Sequence, residues 1–265
     1  MINKEIKMAL KKTLMGLFIV SVIIFMHAPI IALMVSSFST DIHFSLPFAG
    51  LTTEWYVAVF HSGQIRSVVW NTFSTALVVM VPATIIGLMA ALAFAKYKWR
   101  SRGVYQKILL LPIFFSQMVL GLALLLMSNQ IGIIPSWITA AISHLVWILP
   151  VVTIVIAIQV YGYDKTLDEA AYDLAATPIQ VFREVTLPIL MFGIFSGAVF
   201  AFLLSWSNYD LSLFLQGVDQ MLPVYIIGKM SGGYSPMAPA LSVVIYLLSG
   251  VILFLPMWLM QRIAK

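Results

Sequence analysis

The sequence predicts an all-α integral membrane protein with six transmembrane helices, and three observations carry that prediction. Charged residues make up only 9% of the 265 residues, whereas a soluble domain needs about 25% to wet its surface. Apolar residues reach 62%, so most of the exterior must face lipid. Six segments, approximately 14–35, 69–94, 106–127, 138–161, 187–215 and 238–260, each offer the roughly 20 mostly apolar residues that a membrane-crossing helix requires. None alternates with a period of two, as a barrel strand would. The same composition excludes disorder, collagen-like structure and a disulfide scaffold. The absence of cysteine removes thiolate chemistry and Cys-based metal sites. The whole chain, 1–265, reads as one transmembrane domain.

The elements follow in order. Segment 14–35 is too long for the apolar region of a signal peptide and no Ala-x-Ala site follows it, so it reads as a retained span. The connection 36–68 carries Asp41, Glu54, Trp55 and Tyr56 and has room for a short helix. Asn71, at the start of the second span, reads as a helix cap. Gln117 is alone in the third span. It either faces a cavity or hydrogen-bonds a neighbouring helix, the second being the more common fate. The uncharged connection 128–137 suits a turn. His144, near the outer end of the fourth span, reads as a packing residue. His27, His43, His61 and His144 show no metal-ligand spacing, and no metal site is expected. Pro82, Pro112, Pro150 and Pro256 are candidate kinks, which membrane helices tolerate.

Charge sets the orientation. Of the 15 Lys and Arg residues, 13 fall on one side: Lys4, Lys7, Lys11 and Lys12, then Lys96, Lys98, Arg100, Arg102 and Lys107, then Lys165 and Arg183, then Arg262 and Lys265. Only Arg66 and Lys229 fall on the other. The excess of positive charge on the cytoplasmic side predicts that both termini are cytoplasmic. It also accounts for the basic balance without any nucleic acid.

The connection 162–186 is too long for a plain helix–helix link. It holds five of the ten acidic residues, Asp164, Asp168, Glu169, Asp173 and Glu184. Thr166 followed by Glu169 has the spacing of a capping box, and Leu167, Ala170, Ala171 and Leu174 then recur at helical spacing. Thr177-Pro178-Ile179-Gln180 repeats the signal with proline at the first helical position. Ile179, Phe182 and Val185 or Thr186 form a second face, and Leu187-Pro188 opens the fifth span. The prediction is helix, turn, helix. Such a pair rests on lipid headgroups or docks a cytoplasmic partner. Ala170, Ala171, Ala175 and Ala176 favour close approach by another protein, and acidic rather than basic neighbours speak against membrane adhesion.

The stretch EAAYDLAATPIQVFREVTLP, 169–188, resembles the EAA loop of the permease subunits of binding-protein-dependent ABC importers. Glu169, Ala170, Ala171, Leu187 and Pro188 match the pattern, and Ala175 stands where the pattern usually has Gly. GLTTEWYVAVF (50–60), the polar and small residues Asn71, Gly87, Ala90 and Ala91, Ser143-His144 with Pro150, and Leu222-Pro223, Gly233, Ser235-Pro236 and Ala240-Leu241 resemble the spermidine/putrescine branch in the same order. The resemblance implies a type I ABC importer permease fold, with 162–188 as the cytoplasmic coupling loop. Glu169, Ala170, Ala171, Ala175, Leu187 and Pro188 would then meet the ATPase. The implied partners are cytoplasmic ATPase subunits, a second permease subunit forming a heterodimer, and a periplasmic solute-binding protein. This chain has no Gly-x-x-x-x-Gly-Lys-Ser/Thr motif, so ATP and Mg would be bound by the partner ATPases and no cofactor by the chain. The implied location is the bacterial inner membrane.

Polar groups inside spans mark a possible solute pathway. The main cluster is Ser205, Trp206, Ser207, Asn208, Tyr209 and Asp210, with Gln117 as a further candidate. It lies either at the membrane boundary or along a wet cavity, where Asp210 would neutralise a cationic solute and the aromatic rings would add cation–π contacts. The spermidine/putrescine branch commonly carries an acidic pair at positions matching Ser207 and Asn208, which are neutral here. The solute expected is a polyamine or related amine. The alternative is a less cationic compound such as an amino-acid derivative, a betaine-like compound or an organophosphonate. A secondary transporter is a weaker reading, because no repeat relates the two halves. An intramembrane enzyme is weaker still, because His-Glu-x-x-His and Gly-x-Ser-x-Gly are both missing.

Overall fold

The computed structural model describes residues 2–40, 50–232 and 236–263. Asp41, His43, Gly233, Ser235 and Lys265, singled out above, lie outside the described residues. In chain order the helices are α1 (Ile2–Ser36), α2 (Glu54–His61), α3 (Gly63–Ala91), α4 (Arg102–Leu110), α5 (Gln117–Gln130), α6 (Trp137–Tyr161), α7 (Thr166–Asp173), α8 (Pro178–Gln180), α9 (Leu187–Trp206), α10 (Asp210–Leu215), α11 (Leu222–Ser231) and α12 (Met237–Ile263). A π-helical turn, Leu92–Lys96, extends α3, and another, Val181–Thr186, joins α8 to α9. Among the described residues the only β pairing is an isolated bridge between Ser39 and Leu51.

Among the described residues, five helices are long and apolar enough to cross a membrane: Leu10–Ser36, Gly63–Lys96, Trp137–Tyr161, Pro178–Trp206 and Met237–Phe254. The predicted third span is the exception. Its two pieces, Arg102–Phe114 and Gln117–Gln130, meet at a bend of 99° and make a sixth crossing only if counted together. Pro112 sits in the 3-10 turn Leu111–Phe114, and Phe115 and Ser116 are extended. Proline's missing amide interrupts the helical ladder there, and the sequence closes no new turn until Gln117. The predicted fifth span is also interrupted, between Trp206 and Asp210. By contrast Pro82 and Pro150 lie within unbroken helices.

The chain divides into two compact units, 63–225 and a unit made of 1–62 with 226–265. In the second, α12 packs on α1 and α2. The segment after α1 is pinned by the residues flagged in the 36–68 connection. The Trp55 indole donates to the Ser39 carbonyl at 2.9 Å, and the Tyr56 and Ser37 hydroxyls are 2.6 Å apart.

The unit 63–225 is built on α3, α6 and α9. Its core holds Val79, Ala83, Ile148, Val152, Ile156, Leu190 and Ala201. In lipid the association of helices depends on close packing rather than on hydrophobic burial, so small residues collect where helices touch. Ala76, Ala83, Gly87, Ala90 and Ala91 line the buried side of α3. Gly193 and Gly197 do the same on α9. A Cβ on Gly193 would lie 2.7 Å from Gln159 Cβ, and one on Gly197 would lie 2.7 Å from Ile156 Cγ1. Gly197→Ala is therefore expected to destabilise the protein by about 1–3 kcal/mol through overpacking. Thermal unfolding in detergent checks this, and a melting curve identical to the parent's would contradict it.

Candidate functional site

The segment 162–188 folds as two short helices separated by a turn. The first start differs in detail from the capping box expected at Thr166. Thr166 is already the first helical residue, and Asp164 Oδ1 accepts from its amide at 3.0 Å. The carboxylate two residues earlier takes the role because its short side chain reaches the free amide directly. The second start is as expected. Thr177 accepts from the Gln180 amide, and the Gln180 side chain accepts from the Thr177 amide at 2.8 Å. The α8 helix then runs on through the π turn into α9. Pro188 cannot donate to the carbonyl four residues before it, and the wider turn relieves that gap.

Between the helices the chain reverses at Ala175, whose φ is +59°. Its amide bonds the Tyr172 carbonyl at 2.9 Å and the Ala176 amide bonds the Ala171 carbonyl at 3.1 Å. This is a Schellman motif, in which the left-handed residue is usually glycine. Alanine keeps the turn at a cost of about 1–2 kcal/mol for its Cβ.

The two sides of α7 differ sharply. Glu169 and Ala170 are exposed, while Ala171 is half-buried. Leu174 is 85% exposed and Ile179 78%, which leaves apolar side chains uncovered on the face that carries the motif. Leu187 and Pro188 are exposed in the first turn of α9. Asp168, next to Glu169 but 100° further round the helix, points the other way and is buried.

Asp168 is the centre of a polar network that the motif does not announce. Lys96 Nζ lies 2.7 Å from its Oδ2, with the two side chains 9% and 12% exposed. The Tyr163 hydroxyl and the Thr186 hydroxyl both donate to its Oδ1. Lys96 also donates to Thr186 Oγ1 at 3.0 Å and sits 4.6 Å above the centre of the Tyr163 ring. The Lys165 ammonium donates to the Lys96 carbonyl. Burial pulls the Asp168 carboxyl up, but the hydrogen bonds from Lys96 and Tyr163 and the ammonium charge hold it below the usual carboxylate range. Burial, with the adjacent carboxylate, pushes the Tyr163 phenol up to about 12. A depressed acid contributes stability above its unfolded value near 3.9, and a raised phenol contributes it below about 10, so the network holds across the whole neutral range. The sequence marked Lys96 only as one of many basic residues. Thr186 was marked only as an alternative to Val185 on the second helical face, and Tyr163 carried no signal of its own.

The polar cluster 205–210 lies at the other end of α9, where the helix breaks. His144 of α6 is fully buried, 2.9 Å from Ser205 Oγ through Nδ1 and 3.0 Å from Ser212 Oγ through Nε2. The Ser212 hydroxyl donates to the Asn208 carbonyl at 2.7 Å. Nε2 therefore carries the proton, and Ser205 donates to Nδ1. Asn208 caps α10 by accepting from the Leu211 amide at 3.0 Å, and its amide donates to Gln117 Oε1 at 3.0 Å. Gln117 thus bonds a neighbouring element. Trp206 is buried against Phe73 and Phe202, with ring centres 6.3 and 5.9 Å away. Ser207 is exposed, and Tyr209 and Asp210 are half-buried. So Ser205, Trp206, Asn208 and Gln117 are brought together within the protein, and Ser207, Tyr209 and Asp210 keep open surface. Asn71 lies two turns inside α3 and donates to the Gln220 carbonyl at 3.3 Å, so it caps no helix.

The fold and the loop define the class: a multi-pass inner-membrane permease subunit of an ABC importer. The chain belongs to the family described as "Binding-protein-dependent transport system inner membrane component", whose model matches residues 83–265. It is 28% identical over 239 residues, 90% of either chain, to the spermidine/putrescine transport system permease protein PotC of Escherichia coli (strain K12). It is 28% identical over 249 residues, 91% of this chain and 88% of the other, to the putrescine transport system permease protein PotI of the same organism. The fold is similar to a chain of the bacterial alginate ABC transporter crystallised with an alginate pentasaccharide-bound periplasmic protein. That match has a TM-score of 0.72 and 18% identity, over 97% of this chain and 95% of that one.

Restoring glycine at the left-handed turn is the simplest check on the loop. Ala175→Gly is expected to stabilise the protein by about 0.5–1 kcal/mol, once the larger backbone entropy of glycine is subtracted. A lower melting temperature for that variant would show the turn to be unstrained.

Proposed function

We propose that this chain carries a polyamine or related amine across the inner membrane, paired with a second permease subunit and fed by a periplasmic binding protein. ATP and Mg are bound by cytoplasmic ATPases that grip the loop 162–188, and the chain itself hydrolyses nothing. The termini are cytoplasmic in this reading, which the distribution of Lys and Arg supports. The observation that carries the docking role is the uncovered apolar surface of Leu174 and Ile179, 85% and 78% exposed, beside Glu169 on a loop whose opposite side is fixed by a buried ion pair. A small apolar patch rimmed by charge is what a partner helix or cleft covers. Nucleotide binding moves the gripped helices between two positions, and the spans follow.

The names of PotC and PotI support the amine. A second reading, a less cationic solute, is favoured by the polar break. Ser207 and Asn208 are neutral, and the Asn208 side chain is spent on Gln117 and the Leu211 amide. Asp210 is the one carboxylate among residues 205–210. A diamine would meet it with one ammonium and use the partner subunit for the other.

Two variants separate the loop from the pathway. Glu169→Arg is expected to abolish co-purification of the cognate ATPase while leaving membrane insertion intact; recovery of the ATPase at parental yield would remove the docking role. Asp210→Asn is expected to keep the ATPase and to lower kcat/KM for spermidine uptake into proteoliposomes by about 10- to 100-fold, the value of a hydrogen bond to a charged group. Unchanged uptake would take Asp210 out of the pathway. Calorimetry of spermidine and of glycine betaine against the cognate binding protein decides between the two solute classes.

A further inference from the structure

We propose that the Lys96–Asp168 pair is a positioning strut that makes α3 follow the coupling loop, a role that rests on the reading of that loop as the ATPase handle. The loop is tied covalently to α6 through 162–165 and to α9 through α8 and the π turn. It has no covalent tie to α3, which lies far from it in sequence. Lys96 supplies a noncovalent link instead. It is the last residue of the π turn that ends α3, where the Tyr97 amide reaches back five residues to Leu92. Its ammonium bonds Asp168 of α7 and Thr186 at the foot of α9, and its carbonyl accepts from Lys165.

The chemistry of the tie matters. Apolar contacts resist compression, but a gap of 0.5–1 Å already forfeits a quarter to a half of their attraction. They transmit a push and hardly any pull. Opposite charges shielded from water attract over several ångströms. If α7 moves away from the membrane, packing alone leaves α3 behind, whereas the ion pair draws it along. Both carboxylate oxygens of Asp168 are engaged, Oδ2 by Lys96 and Oδ1 by Tyr163 and Thr186, so the carboxylate cannot swivel to let the ammonium go. The π turn fits this role, since a wide turn at a helix end gives way more easily than an α-helical one and often marks a functional position.

The chain has no cysteine, so paired spin labels can be placed without removing a native one. Labels at Lys98→Cys, beyond the end of α3, and Asp173→Cys, on α7, report the gap across the strut in the transporter assembled with its ATPase. Because breaking one side of a buried pair leaves an uncompensated charge, the test uses the double replacement Lys96→Met with Asp168→Leu, which keeps the volume filled. The expected result is one narrow distance distribution, the same with and without ATP, in the parent chain and in Lys96→Arg. In the double replacement the distribution lengthens or broadens when ATP is added, and solute transported per ATP falls about tenfold. Identical distributions in parent and double replacement overturn the strut while the retained ATPase leaves the docking reading standing. Failure of the parent chain to retain the ATPase overturns the docking reading, and the strut with it.

Discussion

A buried ion pair at the foot of the helices, Lys96 with Asp168, is the interaction on which the arrangement of the loop 162–188 depends. Taking both charges out of water is costly, and the attraction offsets that cost only when the remaining hydrogen-bonding capacity is met. Here it is met: Tyr163 and Thr186 donate to the carboxylate, and the aromatic ring of Tyr163 lies under the ammonium. The pair therefore orients α7 rather than merely holding it. With Asp168 turned inward, helical geometry turns Glu169 outward, and the exposed face of the loop follows from the buried one.

The opposite end of the same unit is organised by neutral hydrogen bonds. The backbone leaves the helix at Ser207–Tyr209, where freed amides and carbonyls need partners inside a membrane protein. His144 bridges Ser205 and Ser212 across the break, and Asn208 caps the next helix. A carboxylate at such depth would need a counter-charge, which an imidazole and two hydroxyls do not supply. The residues that keep the break in shape are thus engaged within the protein, and open surface is left to Ser207, Tyr209 and Asp210 at its margin, where the proposed solute pathway runs.

Much of this was legible in the sequence, and the limits were physical. Long apolar runs report spans because lipid tolerates little else, so α1, α3, α6, α9 and α12 were all anticipated. Pro112 was among four candidate kinks, but the 99° bend that follows it was not legible, because hydropathy measures composition and is blind to direction. The capping box at Thr177 was visible because both partners lie within one turn; Thr166 failed because Asp164, just ahead of it, competes for the same amide. The role of Lys96 was hidden because its partners are a long way off in the chain, and Tyr163 and Thr186, 5 and 18 residues from Asp168, match no capping or helical spacing. His144 was read as a packing residue and is buried; Gln117 was read as facing a cavity or bonding a neighbouring helix, and its side chain accepts from Asn208. The alanine at 175 was visible as a departure from a pattern, but only the backbone shows that it occupies the left-handed turn unchanged.

The most direct measurement is a double-mutant cycle on Lys96 and Asp168, read by thermal or chemical unfolding of the purified chain in detergent. Lys96→Met and Asp168→Leu alone should each destabilise by about 3–5 kcal/mol, because each strands the opposite charge. Together they should cost much less than the sum, giving a coupling energy well above 1 kcal/mol. Additivity to within about 0.5 kcal/mol would mean that the two charges do not depend on each other and that something else holds the loop.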